Sequence, residues 1–193
     1  MARIAVMALQ GAFVEHEQML ASLGADCFEV RQLADWQQPK DGLILPGGES
    51  TVQTRLLAEL GLLEPVRQAI IDGLPVFGTC AGLILLARQE NGQPRSGLCT
   101  MDIDVCRNAY GRQLGSFNAT GEVKGVGSDI PLTFIRAPYV NKALSADVEV
   151  IAETGGHIVG VRQGRQLATA FHPEVTDDTR LHSYFLEMCG GKK

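Results

Sequence analysis

The chain has 193 residues, 45% of them hydrophobic and 20% charged, with a formal net charge of −5. These are the proportions of an ordinary globule, long enough to bury roughly 70% of its unfolded surface as one unit, here taken as 1–193. They offer no electrostatic reason to bind nucleic acid, and no apolar run approaches the roughly 20 residues needed to cross a bilayer.

The N-terminal "MARIAVMALQGAF" sets Arg3 before an apolar run. Ile4–Leu9 is shorter than the core of a signal peptide, and Gln10 ends it, so a cytoplasmic location is expected. Arg3–Leu9 reads as a first strand. Ala12–Leu23 carries apolar residues at Phe13, Met19, Leu20 and Leu23, as a helix stopped by Gly24 would. His16 lies in that helix among charged residues and is expected to be solvated. Cys27–Val30 is a second strand, and Leu43–Leu45 a third, broken by Pro46-Gly47-Gly48. Thr51–Leu60 and Leu62–Ile71 read as helices separated by Gly61. "LPVFG" is a fourth strand, and Ala81–Arg88 a helix after it.

From Gly97 to Phe171 the runs are short, rich in Val, Ile and Thr, and punctuated by "NAYG", "GVGSD", "ETGGH" and "RQGRQ". Arg180–Met188 is a closing helix. The expected fold class is α/β. A mostly parallel central sheet has helices on both faces, three layers in all, with a mixed or antiparallel extension in the second half.

The five cysteines, Cys27, Cys80, Cys99, Cys106 and Cys189, form no close pair, which argues against a disulfide framework and a metal site. Four lie in apolar context and read as packing residues. Cys80 stands instead in "GTCAG", the G-x-nucleophile-x-G spacing of a strand-to-helix elbow. Such a turn projects its central side chain forward, and Gly78 and Gly82 remove the side chains that would collide. A helix starting near Ala81 aims its amides and positive dipole end at the sulfur, which favours a thiolate. A cysteine merely filling a tight corner is the alternative.

A thiolate attacking a carbonyl needs a histidine to handle protons. His157 follows a turn, and His182 lies in the last helix. His172 stands in "TAFHPEV" after an apolar strand. Pro173 biases His172 toward extended backbone, which puts positions 172 and 174 on one side. Glu174 can then hold one imidazole nitrogen and leave the other facing outward. A strand-end turn with surface His and Glu is the competing reading. "PGGES" ends another strand on the same edge, and its unshielded N–H groups could complement that of Ala81 around an oxyanion. A phosphate cradle fits poorly because Glu49 would repel the anion, and a plain turn stays open.

These pieces, in this order, resemble the class I (triad) glutamine amidotransferases. "LQGAFVEH", "GLILPGGEST", "FGTCAGLILLA", "RNAYGRQ", "FIRAP" and "FHPE" narrow the resemblance to the glutaminase subunits of pyridoxal 5′-phosphate synthase. It extends from Ile4 to the last helix. Many class I members have glutamine where this chain has Ile84. The resemblance implies Cys80 as nucleophile, His172 as general acid/base and Glu174 as its orienting carboxylate. Gly48, Glu49, Ser50, Arg107, Ile135 and Arg136 would contact L-glutamine, with Gly47, Gly48 and Ala81 around the oxyanion. Gln10 would respond to the partner.

The family hydrolyses glutamine to glutamate and ammonia. It passes the ammonia to a synthase subunit, which builds pyridoxal 5′-phosphate from ribose 5-phosphate and glyceraldehyde 3-phosphate. Activity is expected to be low until that partner, in a hetero-oligomeric complex, docks. No cofactor or metal is implied. A glutaminase serving another synthase, or a redox or chaperone protein of similar fold, are the rival expectations.

Overall fold

The computed structural model describes residues 1–107 and 115–190. Most of "RNAYGRQ" therefore lies outside the described residues. In chain order the first half forms β1 (Arg3–Met7), α1 (Phe13–Ser22), β2 (Asp26–Val30), α2 (Leu33–Trp36), β3 (Gly42–Leu45), α3 (Ser50–Glu59), α4 (Leu63–Ile71), β4 (Val76–Thr79) and α5 (Ala81–Leu86). The second half adds β5 (Ala87–Glu90), β6 (Gln93–Pro94), β7 (Met101–Cys106), β8 (Ser116–Val123), β9 (Gly127–Ile135), β10 (Tyr139–Ala143), β11 (Val148–Thr154), β12 (His157–Gln163) and β13 (Gln166–Thr169). A 3-10 turn at Pro173–Val175 and α6 (Arg180–Gly190) follow.

The main sheet runs β2-β1-β3-β4-β13-β12-β10-β7-β5-β6, with β11 beside β12. β2, β1, β3, β4 and β13 are mutually parallel. β12 then turns antiparallel to β13, and β10 to β7. The parallel strands are short and apolar because helices cover both faces, and β3 and β4 are buried along their whole length. On β4, Phe77 and Thr79 face one way and Gly78 the other, as pleating requires. Phe77 meets Phe185 of α6 at 5.8 Å between ring centroids and His16 of α1 at 6.1 Å. On the opposite face, Gly78 backs onto Gly82 of α5, with α3 packed on α5 and α4 on α3.

Three features depart from the sequence expectation. The helix after Cys80 stops at Leu86, and Ala87–Glu90 becomes a strand paired parallel to β7. Arg95 donates a hydrogen bond to the Ile84 carbonyl, and the Cys99 N–H donates to Leu85 O at 3.1 Å. The Ile84 and Leu85 carbonyls thus keep partners where the helix ends, although no local stop signal exists. β8 and β9 pair only with each other, as a separate two-stranded sheet rather than part of the extension. Short α2 carried no periodic signal.

Candidate active site

Because β1, β3, β4 and β13 are parallel, their carboxyl ends share one edge, where open α/β sheets bind ligands. The segments leaving that edge carry Gln10, Gly47–Ser50, Cys80 and His172. Cys80 sits between β4 and α5 with φ 49° and ψ −96°, a strained backbone for a residue with a side chain. Its N–H donates to Thr169 O of β13 at 2.7 Å, and its carbonyl accepts from Ile84 N–H at 3.2 Å. The flanking glycines are sterically required. A Cβ on Gly82 would lie 2.1 Å from Leu45 O, and one on Gly78 would lie 2.7 Å from the carbonyl carbon of Gly82.

His172 follows β13 and is buried, as is Glu174. Its Nδ1 meets Glu174 Oε1 at 2.7 Å, leaving Nε2 for the sulfur of Cys80. The route differs from the expected extended segment. Pro173 starts a 3-10 turn, and that turn rather than strand alternation swings Glu174 back under the imidazole. Burial, the strongest influence on His172, pushes its pKa down. Hydrogen bonds to Cys80 and Glu174, and their charges, outweigh it and hold the ring at about 10. Burial likewise pushes Glu174 up, but His16 and His172 draw it below the usual carboxylate range.

The loop between β3 and α3 closes over this pair. A Cβ on Gly47 would sit 2.3 Å from Cε1 of His172, so only glycine lets the loop lie against the ring. The Gly47 carbonyl accepts from Ala12 N–H at 3.0 Å, and across a trans peptide the Gly48 N–H points the opposite way. Gln10 Oε1 accepts from Glu49 N–H at 2.7 Å, tying the end of β1 to this loop. Glu49 caps α3 by accepting from the Thr51 N–H and hydroxyl, which lowers its pKa.

Cys80, His172, Gly47, Gly48, Glu49, Ser50, Arg107, Ile135 and Arg136 all line one open cavity of about 640 Å³. Ala81 opens α5 directly behind the sulfur, whereas Gln10 and Glu174 stand behind the lining. Arg107 Nε lies 2.9 Å from Glu90 Oε1. Arg136 has φ 46°, and its N–H donates to Gly115 O, so a strained turn presents it at the rim. Among the described residues no group of His, Cys, Asp or Glu is placed to hold a metal ion, and no helix is long and apolar enough to cross a membrane.

The structure corrects the expectation for His16, which is fully buried. Its Nε2 lies 3.1 Å from Thr79 Oγ1 and 3.6 Å from Glu174 Oε1, and its Nδ1 lies 2.9 Å from Nε2 of His182. His182, also buried, comes from α6. Gln53, on the buried side of α3, donates to Gln10 O at 2.9 Å and Pro46 O at 3.2 Å. None of these four was singled out from sequence. Only the juxtaposition of α1, β4 and α6 gives them meaning, and His16 sits among glutamates that disguise it. His157, by contrast, stacks on Tyr139 at 4.2 Å, away from the site.

A family model described as the SNO glutamine amidotransferase family matches residues 6–191. The chain is 53% identical over 194 aligned positions to a "Pyridoxal 5'-phosphate synthase subunit PdxT" of Streptococcus pneumoniae, covering 99% of both chains. It is 55% identical to a protein of the same name from Methanocorpusculum labreanum, covering 98% of each. A solved glutamine amidotransferase superposes with a TM-score of 0.91 at 46% identity, covering 97% of this chain and 99% of that one. The structure of PurLQS from Thermotoga maritima shares the fold, with a TM-score of 0.65 at 17% identity over 97% of this chain and 99% of that one.

Proposed function

Because the chain belongs to the SNO glutamine amidotransferase family, we propose that Cys80, His172 and Glu174 are the triad with which it takes ammonia from L-glutamine. The protein is a glutaminase supplying ammonia for pyridoxal 5′-phosphate synthesis, and the subunit name of its relatives implies a synthase partner. The observation that carries the residue assignment is a buried imidazole bridging Glu174 and the sulfur of an elbow cysteine.

The chemistry follows from that bridge. With a pKa near 10, His172 is an imidazolium at neutral pH and stabilises a thiolate beside it. The sulfur attacks the side-chain carboxamide carbon, and the N–H of Ala81 with the Gly47–Gly48 region receives the developing oxyanion. Imidazolium protonates the departing nitrogen, the C–N bond breaks and ammonia leaves a thioester on Cys80. Neutral His172 next takes a proton from water, whose oxygen attacks the thioester. Glutamate departs as the S–C bond breaks, restoring thiolate and imidazolium. Glu174 keeps Nδ1 protonated throughout.

Gly48, Glu49, Ser50, Arg107, Ile135 and Arg136 form the glutamine pocket in this reading. Gln10 and the Gly47–Gly48 peptide give the synthase subunit, docked as part of a hetero-oligomer, a means to reset the oxyanion donors. Released into water, ammonia would be protonated and lose its nucleophilicity, so a docked partner protects the product.

The test is ammonia release from glutamine by the complex with the synthase subunit, alongside covalent labelling by a glutamine-mimicking electrophile. Wild type should label at Cys80, and Cys80→Ala should abolish both labelling and turnover. Persisting hydrolysis in Cys80→Ala sinks the assignment.

A further inference from the structure

Two buried histidines have no role in the mechanism above, yet they stand directly behind its carboxylate. His16 comes from α1, His182 from α6, and Thr79 from the end of β4, immediately before the nucleophile. Three distances link them: 2.9 Å between His182 Nε2 and His16 Nδ1, 3.1 Å between His16 Nε2 and Thr79 Oγ1, and 3.4 Å between Thr79 Oγ1 and Glu174 Oε1. Both rings are fully buried.

The direction of this chain is fixed by donor counting. An ionised carboxylate only accepts, so the single hydroxyl proton of Thr79 goes to Glu174. Thr79 Oγ1 then has only lone pairs for His16, whose Nε2 must carry a proton. A neutral imidazole has one N–H, so His16 Nδ1 accepts, and His182 Nε2 must donate to it. His182 Nδ1 is left as a bare lone pair, and it is a ring nitrogen with no hydrogen-bond partner among the described residues. The opposite wiring would put an N–H there with nothing to receive it, a costlier omission than an unused acceptor.

We infer that His182, His16 and Thr79 are positioning residues, a one-way chain of donors that fixes the Glu174 carboxylate under His172. The inference rests on the triad reading above. One oxygen of Glu174, Oε1, receives both this chain and Nδ1 of His172, so the carboxylate is pinned from behind and in front. A carboxylate held on one side only could rotate and carry the imidazole with it, and misplacement by about 1 Å can cost roughly 100-fold in rate.

Neutrality of both rings is a condition of the chain. The groups facing His16 are Glu15 of its own helix, Glu174 of the 3-10 turn, His172 at the end of β13, His182 of α6 and the Thr79 hydroxyl. Burial dominates among them and lowers both histidines, His182 to about 3.

The decisive measurement is nitrogen-15 histidine NMR of the full chain at neutral pH. His16 and His182 should both be neutral with the proton on Nε2, and His172 should show a low-field Nδ1–H proton. Finding either buried ring as the Nδ1–H tautomer overturns the wiring. The functional arm uses Thr79→Val, close in shape and lacking only the hydroxyl, in the complex with the synthase subunit. It should lower kcat roughly 10- to 100-fold with KM unchanged and move the His172 low-field resonance.

Thr79→Ser should recover most of the rate. His16→Gln, whose side-chain amide can still donate to Thr79, should exceed His16→Leu in rate. Equal rates in wild type and Thr79→Val, with an unmoved resonance, overturn the positioning role. Wild type that neither labels at Cys80 nor hydrolyses glutamine would fault the triad reading instead, while the tautomers still judge the chain.

Discussion

His172 and His182 carry the same side chain and are driven to opposite protonation states. His172 lies between Cys80 and Glu174, whose hydrogen bonds outweigh its burial, and stays charged to about pH 10. His182 and His16 face each other fully buried, and burial, the largest influence on both, disfavours the charge. The sign of the stability effect follows. Below the ordinary value of 6.5 the unfolded chain protonates these two rings and the folded chain refuses. Their stabilisation is therefore full above pH 6.5 and drains as pH falls below it, for His182 down to about 3. Each histidine contributes a slope of about 1.4 kcal/mol per pH unit inside its window. Urea unfolding at pH 6.5 and 5.0 should show a smaller loss for His182→Gln than for wild type; equal losses would contradict buried, neutral His182. Residue identity singled out Cys80 and His172, the proposed nucleophile and base, through their turn contexts in "GTCAG" and "FHPE". It could not announce His16, whose helical neighbours are polar.

At the scale of elements, the site is made by two glycine-dependent turns that fail differently. In the elbow, a Cβ on Gly82 meets the Leu45 carbonyl of β3 at 2.1 Å, a backbone atom that cannot turn aside. Gly82→Ala should cost about 3 kcal/mol in urea unfolding, because α5 must lift off the sheet. In the β3–α3 loop, a Cβ on Gly47 meets the imidazole of His172 instead. Gly47→Ala should fold with a smaller penalty and lose glutaminase activity roughly 100-fold. A Gly47→Ala protein with wild-type turnover would show that this close approach does not matter to the chemistry. Apart from short α2, strand and helix existence through β4 was legible from period and breakers, with ends displaced by a residue or two. The early stop of α5 was not, because Arg95 and Cys99 satisfy the Ile84 and Leu85 carbonyls from a later segment.

At the scale of the molecule, the proposed catalytic pair comes together because β13 returns to lie parallel beside β4, with Thr169 opposite Thr79. That register brings His172 up to Cys80. α6 then covers the sheet, placing Phe185 on Phe77 and His182 on His16. Phe185 is fully buried. Phe185→Ala should therefore cost about 3–5 kcal/mol in urea unfolding. The same variant should weaken activity through His182, read as a lower kcat in the complex. A stability loss under about 1 kcal/mol would mean that α6 is not part of the cooperative core.

The sequence by itself determined the α/β class, the elbow cysteine, its "HPE" partner and the glycine loop, because turns, breakers and nucleophile contexts are written in neighbouring residues. Only the tertiary structure decided that His16, Thr79 and His182 form one line into Glu174, and that β8 and β9 stand apart. Donor–acceptor pairing between distant elements depends on strand register and helix docking, and neither leaves a periodic trace along the chain.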